Sequence, residues 1–280
     1  MNRFIRFPGF RLKTLTLSYD DGVRQDKRLI SIMQKNGLKG TFNINGGMFS
    51  KTYDGITEDG RMTKQEALDL YLSSGMEIGI HGYKHMPLAL VDMDLAINDI
   101  VSDRKELEKT FNRVIKGMAY ANASYNDDVV DMLRNAGVSY SRTTNNTSKF
   151  DIPTDWLRLA PTCHHNNACL MDLAKEFVEQ KEPSYFWSKK LQMFYLWGHS
   201  YEFDMNNNWD VIEKFAEFVG NKDDIWYATN GEIYDYLKAS EQLEFSADMS
   251  LVRNMSCLDI YIDYFGERKV VPAGKTISLI

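Results

Sequence analysis

Apolar and polar positions along this chain fall into two repeating patterns. Short apolar or β-branched runs that stop at glycine, asparagine or aspartate predict strands, and longer runs with apolar residues three or four apart predict amphipathic helices. The predicted strands are Leu15–Tyr19, Thr41–Asn45, Met76–Ile80, Val114–Ala121, Val138–Arg142, Asp155–Leu159, Gln192–Trp197 and Ile225–Thr229. The predicted helices are Gln25–Lys35, Thr63–Ser74, Met93–Thr110, Asn126–Asn135, Met171–Gln180, Trp209–Val219 and Glu232–Leu243.

The order of these elements predicts an α/β fold. Strands and helices alternate with short connections over residues 1–243, which favours parallel βαβ units, and α/β barrels of 280 residues commonly form a single large domain. From residue 244 the pattern changes to alternating residues with turn signals at Gly266 and Pro272. We expect residues 244–280 to form a small antiparallel β appendage packed on the barrel. The stretch from Met48 to Met62 predicts a long loop at the barrel rim.

Two predicted strands end on residues that can bind a metal. Asp20 and Asp21 repel each other unless a cation, a shared proton or water compensates, although a solvated Asp-Asp-Gly turn is the simpler alternative. His81 and His85 follow the strand Met76–Ile80, and residues four apart on a helical turn lie on one face. If the two strands are parallel neighbours, Asp21 and the two histidines form a His2Asp site with an open position, as in catalytic zinc sites.

Charge and cysteine content narrow the class of protein. A net charge of -6 with dispersed lysine and arginine argues against a nucleic-acid partner. The three cysteines are too few for a disulfide framework, and neither a signal peptide nor a run long enough to cross a membrane is visible in this numbering. We therefore expect a cytoplasmic enzyme with no nucleic-acid or membrane partner.

The stretches Tyr19-Asp20-Asp21-Gly22 and His81-Gly82-Tyr83-Lys84-His85 resemble the first two motifs of the polysaccharide deacetylase family of carbohydrate esterases. The resemblance implies a distorted (β/α) barrel of seven or eight strands that removes acetyl groups with a divalent metal, most simply Zn2+. It also implies an acetylated sugar or oligosaccharide as the substrate. The implied roles are catalytic base for Asp20 and metal ligand for Asp21, His81 and His85.

The third motif of the family is altered in this chain. Ala119 stands where the family has an arginine that orients the catalytic aspartate, and Asn122 stands where it has an aromatic residue. Arg142, at the end of the next strand, or Arg158 is expected to supply the missing charge, and Arg142 is preferred because it should emerge at the catalytic rim. In the family the backbone N–H at the position of Asn122 faces the oxyanion, which needs no particular side chain.

The remaining motifs imply residues around the substrate. Asp155-Trp156 resembles the fourth motif, whose tryptophan walls the acetyl pocket, although a tryptophan in an apolar strand is usually part of the core. Leu196-Trp197-Gly198-His199 resembles the fifth, which supplies a leucine to that pocket and a histidine that protonates the leaving group. The substrate-binding residues expected from these motifs and from the neighbouring loops are Asn122, Tyr125, Arg142, Trp156, His164, His165 and Leu196, and the catalytic pair is Asp20 and His199.

Three alternatives remain open at this point. The loop Cys163–Cys169 contains two cysteines and two histidines and is a rival zinc site, but its spacing matches no structural zinc pattern. The altered third motif is also compatible with a hydrolase of cyclic amides on the same fold. The missing arginine is compatible with a non-catalytic carbohydrate-binding pseudoenzyme.

Overall fold

The computed structural model describes residues 4–53, 56–57 and 60–280. Its strands are β1 (Ile5–Arg6), β2 (Lys13–Asp20), β3 (Gly40–Ile44), β4 (Thr52–Tyr53), β5 (Ile56–Thr57), β6 (Glu77–Ile80), β7 (Gly117–Ala119), β8 (Tyr140–Arg142), β9 (Cys163–His164), β10 (Gln192–Gly198), β11 (Ile225–Tyr227), β12 (Leu243–Phe245), β13 (Leu251–Asn254), β14 (Ile260–Tyr264), β15 (Glu267–Val271) and β16 (Thr276–Ser278). Its helices are α1 (Asp26–Lys35), α2 (Lys64–Ser74), α3 (Met93–Phe111), α4 (Asp127–Asn135), α5 (Leu170–Glu179), α6 (Tyr201–Met205), α7 (Trp209–Val219) and α8 (Asn230–Ser240).

The central sheet is parallel and has the strand order β8-β7-β6-β3-β2-β10-β9, with β11 also pairing with β2. Helices connect most of its neighbouring strands, so the predicted fold class, a distorted (β/α) barrel with small antiparallel sheets, is confirmed. The register aligns Asp20 with Asn43 and Tyr19 with Gly198. The carboxyl ends of β2, β6 and β10 therefore meet at one edge of the sheet, where barrel enzymes place their chemistry.

The two faces of β2 have different environments, although all eight of its residues are buried. Leu15, Leu17 and Tyr19 belong to the main core together with residues of the outer helices. The alternate residues are polar, and Thr16 donates a hydrogen bond to Asn230 at the start of α8 (3.0 Å). The period-2 alternation of a strand thus directs Asp20 to the polar face, away from the apolar core.

The local signals in the sequence explain most helix boundaries. Thr63 and Glu66, the two ends of the stretch Thr-Lys-Gln-Glu in the sequence, form a capping box at the start of α2, and Gly75 ends that helix at φ +75°. The predicted strand Asp155–Leu159 is wrong, because residues Trp156–Arg158 form a 3-10 turn whose first N–H groups are capped by Asp155. Strand β9 was not predicted, since it is two residues long and is defined by pairing with the distant β10.

The chain ends pack together on the far side of the barrel. Strands β1, β14 and β15 form one antiparallel sheet with β14 in the middle, while β12, β13 and β16 form a second antiparallel sheet. A buried ion pair between Arg6 and Asp263 (3.1 Å) joins the two ends. Apolar residues of this region form one cluster with α8, which supports an appendage packed on the barrel, although the proposed boundary at residue 243 remains a prediction.

Two further expectations concern the surface of the protein. The predicted rim loop Met48–Met62 falls partly on residues 54–55 and 58–59, which lie outside the described residues. Among the helices of the described residues, none is both long and apolar enough to cross a membrane.

The buried carboxyl group of Asp26 in α1 should make the free energy of unfolding depend on pH. Asp26 is fully buried and accepts hydrogen bonds from Tyr71 and Ser200 (2.5 Å each), and burial raises its pKa to about 7. In the unfolded chain its pKa is near 3.9, so between pH 4 and 7 the unfolded state loses its proton first and becomes relatively more stable. The Asp26→Asn variant should therefore gain stability relative to wild type as the pH rises through this window, by up to roughly 4 kcal/mol.

Chemical denaturation of both proteins at pH 5 and pH 8, with chelator present, measures this difference. A difference in unfolding free energy that stays the same at the two pH values would contradict the raised pKa of Asp26.

Candidate metal and hydrolase site

The two aspartates at the end of β2 have separate partners. The buried Asp20 carboxylate accepts hydrogen bonds from Asn43 Nδ2 (2.9 Å) and from Arg142 Nη2. Asp21 follows in a left-handed conformation (φ +82°), which is uncommon for a residue other than glycine. Its carbonyl accepts from Arg61 Nη1 (2.5 Å), and Arg61 Nη2 lies 3.3 Å from its Oδ1 atom.

His81 is the first residue after β6, and its ring is fixed in one orientation. Its Nδ1 atom lies 2.9 Å from the carbonyl oxygen of Ala119, and a carbonyl can only accept, so Nδ1 carries the proton and Nε2 keeps its lone pair. Nε2 lies 4.0 Å from Asp21 Oδ1 and 3.9 Å from Asp20 Oδ2. This tautomer leaves Nε2 available to a metal.

His85 reaches the same place through a loop and not through the helical turn that its spacing suggested. Gly82 (φ +86°) and His85 (φ +55°) both have left-handed backbones, which turn the chain back on itself. His85 Nε2 then lies 3.7 Å from Asp21 Oδ1. Asn122 Nδ2 donates to the carbonyl oxygen of His85 (3.1 Å), so the third motif also supports this loop.

The three donor atoms suit a divalent metal. One ligand atom each from Asp21, His81 and His85 lies within 4.8 Å of the others. Ligands about 2.1 Å from a tetrahedral zinc are roughly 3.4 Å apart, so small side-chain movements would bring these atoms to bonding distance. Two imidazoles and one carboxylate form a common donor set for zinc, and the residues present therefore fit the implied metal.

Arg142 stands against Asp20 in place of the missing third-motif arginine. It comes from the end of β8, is buried, donates to Ser18 Oγ (3.2 Å) and stacks 4.4 Å from the centre of the Trp197 ring. Burial alone would raise the pKa of Asp20, but the charge and hydrogen bond of Arg142, together with the charges of His81 and His199, outweigh burial and lower that pKa to about 2. Arg158 instead pairs with Asp127 and Asp155 nearer the surface.

His199 follows β10 and faces the same carboxylate. Its Nδ1 atom is 2.8 Å from Glu202 Oε1, which leaves Nε2 towards Asp20 Oδ2 at 3.9 Å. Burial would lower the pKa of His199, but the hydrogen bond to Glu202 and the charge of Asp20 raise it above its ordinary value. The arrangement can therefore present a proton on Nε2 to a group bound between His199 and Asp20.

The two histidines of the Cys163–Cys169 loop differ in exposure. His165 was expected at the substrate rim, but it is fully buried between the rings of Tyr19 (5.7 Å) and Phe203 (4.2 Å). A Cβ atom on Gly198 would lie 2.0 Å from His165 Nδ1, so the His165 ring can pack here only because residue 198 has no side chain. The expected contact of His165 with substrate is therefore wrong. His164 remains partly exposed and packs edge-on against Trp197 (4.5 Å).

The same loop brings His164, His165 and Glu202 close enough to suggest a second metal. However, His164 Nδ1 accepts a hydrogen bond from the backbone N–H of Asn166 (3.1 Å), so in the neutral ring the proton must be on Nε2, the atom nearest Glu202 (3.5 Å). Burial also raises the pKa of Cys163 to about 12, which keeps its thiol protonated. The rival zinc site is disfavoured for these two reasons.

Two expected pocket residues lie elsewhere. The ring of Trp156 packs edge-on against Tyr234, which also contacts Tyr140, the first residue of β8. Trp156 therefore lies towards the amino-terminal edge of the sheet, opposite the aspartates. Leu196 is fully buried in the main core, and strand alternation places Trp197 on the face with Arg142 instead. These placements contradict the expected roles of Trp156 and Leu196.

Other residues at the site were missed or only suspected from the sequence. Tyr125 was expected to contact substrate and lies on the same loop as Asn122. Its ring stacks on Tyr120 (4.7 Å), and its hydroxyl accepts a hydrogen bond from Asn145. Glu202, three residues after His199, is a carboxylate that the sequence suggests only by its position. Other side chains bind the site residues or the His81–His85 loop by direct hydrogen bonds but are distant from them in the sequence, so no local pattern identifies them. They are Asn43, Asn45, Arg61, Asp99 and Asp103.

Comparison with known proteins agrees with the predicted family. The polysaccharide deacetylase family model matches residues 9–141. A search of curated proteins finds no significant match.

Solved structures share the fold at low sequence identity. A Mycobacterium smegmatis protein assigned to the polysaccharide deacetylases has a TM-score of 0.58 and 14% identity, over 85% of this chain and 94% of that one. A family 4 carbohydrate esterase from Streptomyces lividans, in complex with acetate, has a TM-score of 0.50 and 13% identity, over 75% and 88%. A Streptococcus pyogenes deacetylase, also with acetate, has a TM-score of 0.43 and 19% identity, over 51% of this chain and 62% of its own, less than two thirds of its length.

The motif order, the parallel half-barrel and the family match over residues 9–141 point to one assignment. Residues 9–141 of this chain match the polysaccharide deacetylase family, and the described residues share the fold of solved structures assigned to it.

Proposed function

We propose that this protein is a metal-dependent hydrolase that removes an N- or O-linked acetyl group from a sugar or glycan fragment. One observation carries the proposal: three metal-donor atoms, from Asp21, His81 and His85, converge beside a second carboxylate and a histidine at one edge of the sheet. The donor set favours zinc. When bound, such a metal lowers the pKa of a water molecule and polarises an acetyl carbonyl.

Asp20 is the proposed general base. Its buried carboxylate is held by Asn43 and Arg142, and the low pKa keeps it ionised over the whole neutral range. A carboxylate of such low basicity accepts a proton only from a water molecule that is itself strongly acidified. The base and the metal site must therefore act on the same water.

The loop after β7 is the proposed oxyanion site. Asn122 and Ala123 both have positive φ angles of 54°, and a left-handed alanine is strained enough to suggest a functional reason. Two successive residues of this kind orient backbone N–H groups in ways that extended strands do not. The backbone N–H of Asn122 is the donor that we assign to the developing negative charge.

His199 is the proposed general acid for the leaving amine or alcohol. Glu202 holds the Nδ1–H of the ring and favours the charged imidazolium, so Nε2 can give its proton to the departing group. The side of the site beyond His199 is lined by His164 and Trp197, and Trp197 Nε1 donates to Asn146 (2.8 Å). Aromatic rings and amide side chains of this kind suit the apolar faces and hydroxyl groups of a sugar.

Removal of either candidate histidine ligand tests the metal site. His81→Ala and His85→Ala should lose both metal and activity, because two remaining ligands cannot hold a catalytic zinc against water. His164→Ala is the matched control, since His164 lies outside the group formed by Asp21, His81 and His85, and it should keep stoichiometric zinc. Metal analysis of the purified variants and acetate release from acetylated sugars measure the two effects.

Stoichiometric metal in either His81→Ala or His85→Ala would show that the ligand assignment is wrong. Metal-loaded wild-type protein that releases no acetate from a broad glycan panel would favour a binding protein. Turnover of small cyclic amides alone would favour the other hydrolase function.

Substitution of Asp20 separates the base from the ligands. Asp20→Asn keeps the size of the side chain but removes its basicity, so metal should remain while kcat falls by roughly a hundredfold or more. Asp21→Asn should instead weaken metal binding. Zinc titration and acetate-release kinetics on both variants decide the assignment, and loss of metal in Asp20→Asn alone would exchange the two roles.

Truncation of Arg142 tests its proposed support of the base. Arg142→Ala should lower kcat with zinc still bound, because Asp20 loses the charge that fixes its position and ionisation. Arg158→Ala removes an arginine that pairs with Asp127 and Asp155, and it should have wild-type kinetics. Equal kcat values in wild type and in Arg142→Ala would exclude the proposed role of Arg142.

A further inference from the structure

Helix α3 turns two carboxylates towards the interior. Asp99 and Asp103 are one helical turn apart and are both buried, on a helix whose other buried positions are Ala96, Ile100, Leu107 and Phe111. A buried carboxylate is costly unless hydrogen bonds satisfy it, so an inward helix face normally carries apolar side chains. The hydrogen-bond partners of Asp99 and Asp103 therefore indicate what these two carboxylates do in the structure.

Asp103 holds the backbone at the ends of two neighbouring strands. Its Oδ2 atom accepts from the N–H of His81 (2.9 Å), the first residue after β6, and its Oδ1 atom accepts from the N–H of Gly46 (2.5 Å), just beyond β3. A Cβ atom on Gly46 would lie 2.9 Å from Oδ1. Both oxygens of Asp103 are thus used by main-chain donors, one of them in a candidate metal ligand.

Asp99 holds the loop between the two histidines. Its Oδ1 atom accepts from the N–H of Lys84 (2.8 Å), and its carbonyl oxygen accepts from the N–H of Tyr83 (3.3 Å). A Cβ atom on Gly82 would lie 2.6 Å from Asp99 Oδ2, so the glycine permits both this close approach and its left-handed φ of +86°. The segment from His81 to His85 therefore folds closely around Asp99.

The opposite side of this loop is also held by a side chain. Asn45 Nδ2 donates to the carbonyl oxygens of His81 (2.8 Å) and Gly82 (2.7 Å). Three N–H groups of the loop are thus bound from α3, and two of its carbonyl groups are bound by Asn45, the residue after β3. A loop with two left-handed residues would otherwise have several accessible conformations.

We propose that Asp99 and Asp103 are positioning residues for the metal site, which set the separation of the His81 and His85 imidazoles through the loop backbone. The inference rests on the proposed metal-dependent function. Main-chain hydrogen bonds at both ends of the loop fix where each imidazole leaves the backbone. Loss of either carboxylate leaves one end of the His81–His85 loop without its hydrogen bond. Binding of metal must then also order that end of the loop, which weakens the affinity.

A purely structural role makes a different prediction. If the two carboxylates only attached α3 to the sheet, their removal would lower the thermal stability of the metal-free protein, and zinc affinity would fall only as a consequence. A positioning role predicts weaker zinc binding while the metal-free protein keeps its stability. The two roles are separated by measuring zinc affinity and metal-free unfolding on the same variants.

The experiment uses Asp103→Asn and Asp99→Ala in the full chain. An asparagine at 103 retains only one acceptor for two N–H donors, and an alanine at 99 removes the acceptor of Lys84 N–H. The exposed Asp94 of the same helix supplies matched controls, Asp94→Asn and Asp94→Ala. Zinc affinity is measured by competition with a chromophoric chelator, and metal-free unfolding is followed with excess chelator present.

Asp103→Asn and Asp99→Ala should bind zinc roughly 10- to 100-fold more weakly than wild type, as is usual when a support of a ligand is lost, with metal-free melting temperatures within about 3 °C. The Asp94 controls should match wild type. Wild-type zinc affinity in both variants, or a large fall in metal-free stability in both, would overturn the inference. A wild-type protein that binds no zinc would overturn the proposed function itself, so the two failures are distinguishable.

Discussion

The repulsion between Asp20 and Asp21 is the constraint on which the site depends. Two adjacent carboxylates at the end of a buried strand are tolerated only if each has its own compensation. Asp20 turns to the polar face of the sheet, where Arg142 and Asn43 hold it, while Asp21 enters a left-handed conformation and meets Arg61. The different partners place two chemically identical side chains in different environments. Asp20 is held as an ion, and Asp21 keeps one oxygen directed at the imidazoles of His81 and His85.

The hydrogen bonds of the histidines divide them in a similar way. The Nδ1–H of His81 donates to the carbonyl oxygen of Ala119 and leaves Nε2 with its lone pair, whereas the backbone N–H of Asn166 donates to Nδ1 of His164, so the proton of that neutral ring is on Nε2. Both rings lie near a carboxylate and both belong to clusters of metal-binding residue types. A single backbone donor or acceptor therefore decides whether such a cluster suits a metal or a network of hydrogen bonds.

The polar groups around the site cost stability that the rest of the fold supplies. Asp26 and Asp103 are buried carboxyl groups whose pKa values are raised by burial, to about 7 and about 8. Such groups would be replaced by apolar residues if packing alone mattered. The large core between the sheet and the outer helices offsets this cost, and a rigid sheet edge allows the exposed loops to be held by side chains from neighbouring elements.

The sequence by itself determined the alternation of strands and helices, the α2 capping box and the strand ends that carry Asp20, His81 and His199, because these depend on local periodicity and turn chemistry. The resemblance to a known family implied roles for these residues, which are part of the proposed function. Only the tertiary structure decided that Trp197, and not Leu196, lies on the face of β10 that meets Arg142, and that His165 is buried. Which side chains face the site depends on strand register and on contacts between residues far apart in the chain. Neither produces a periodic pattern that can be read in the sequence.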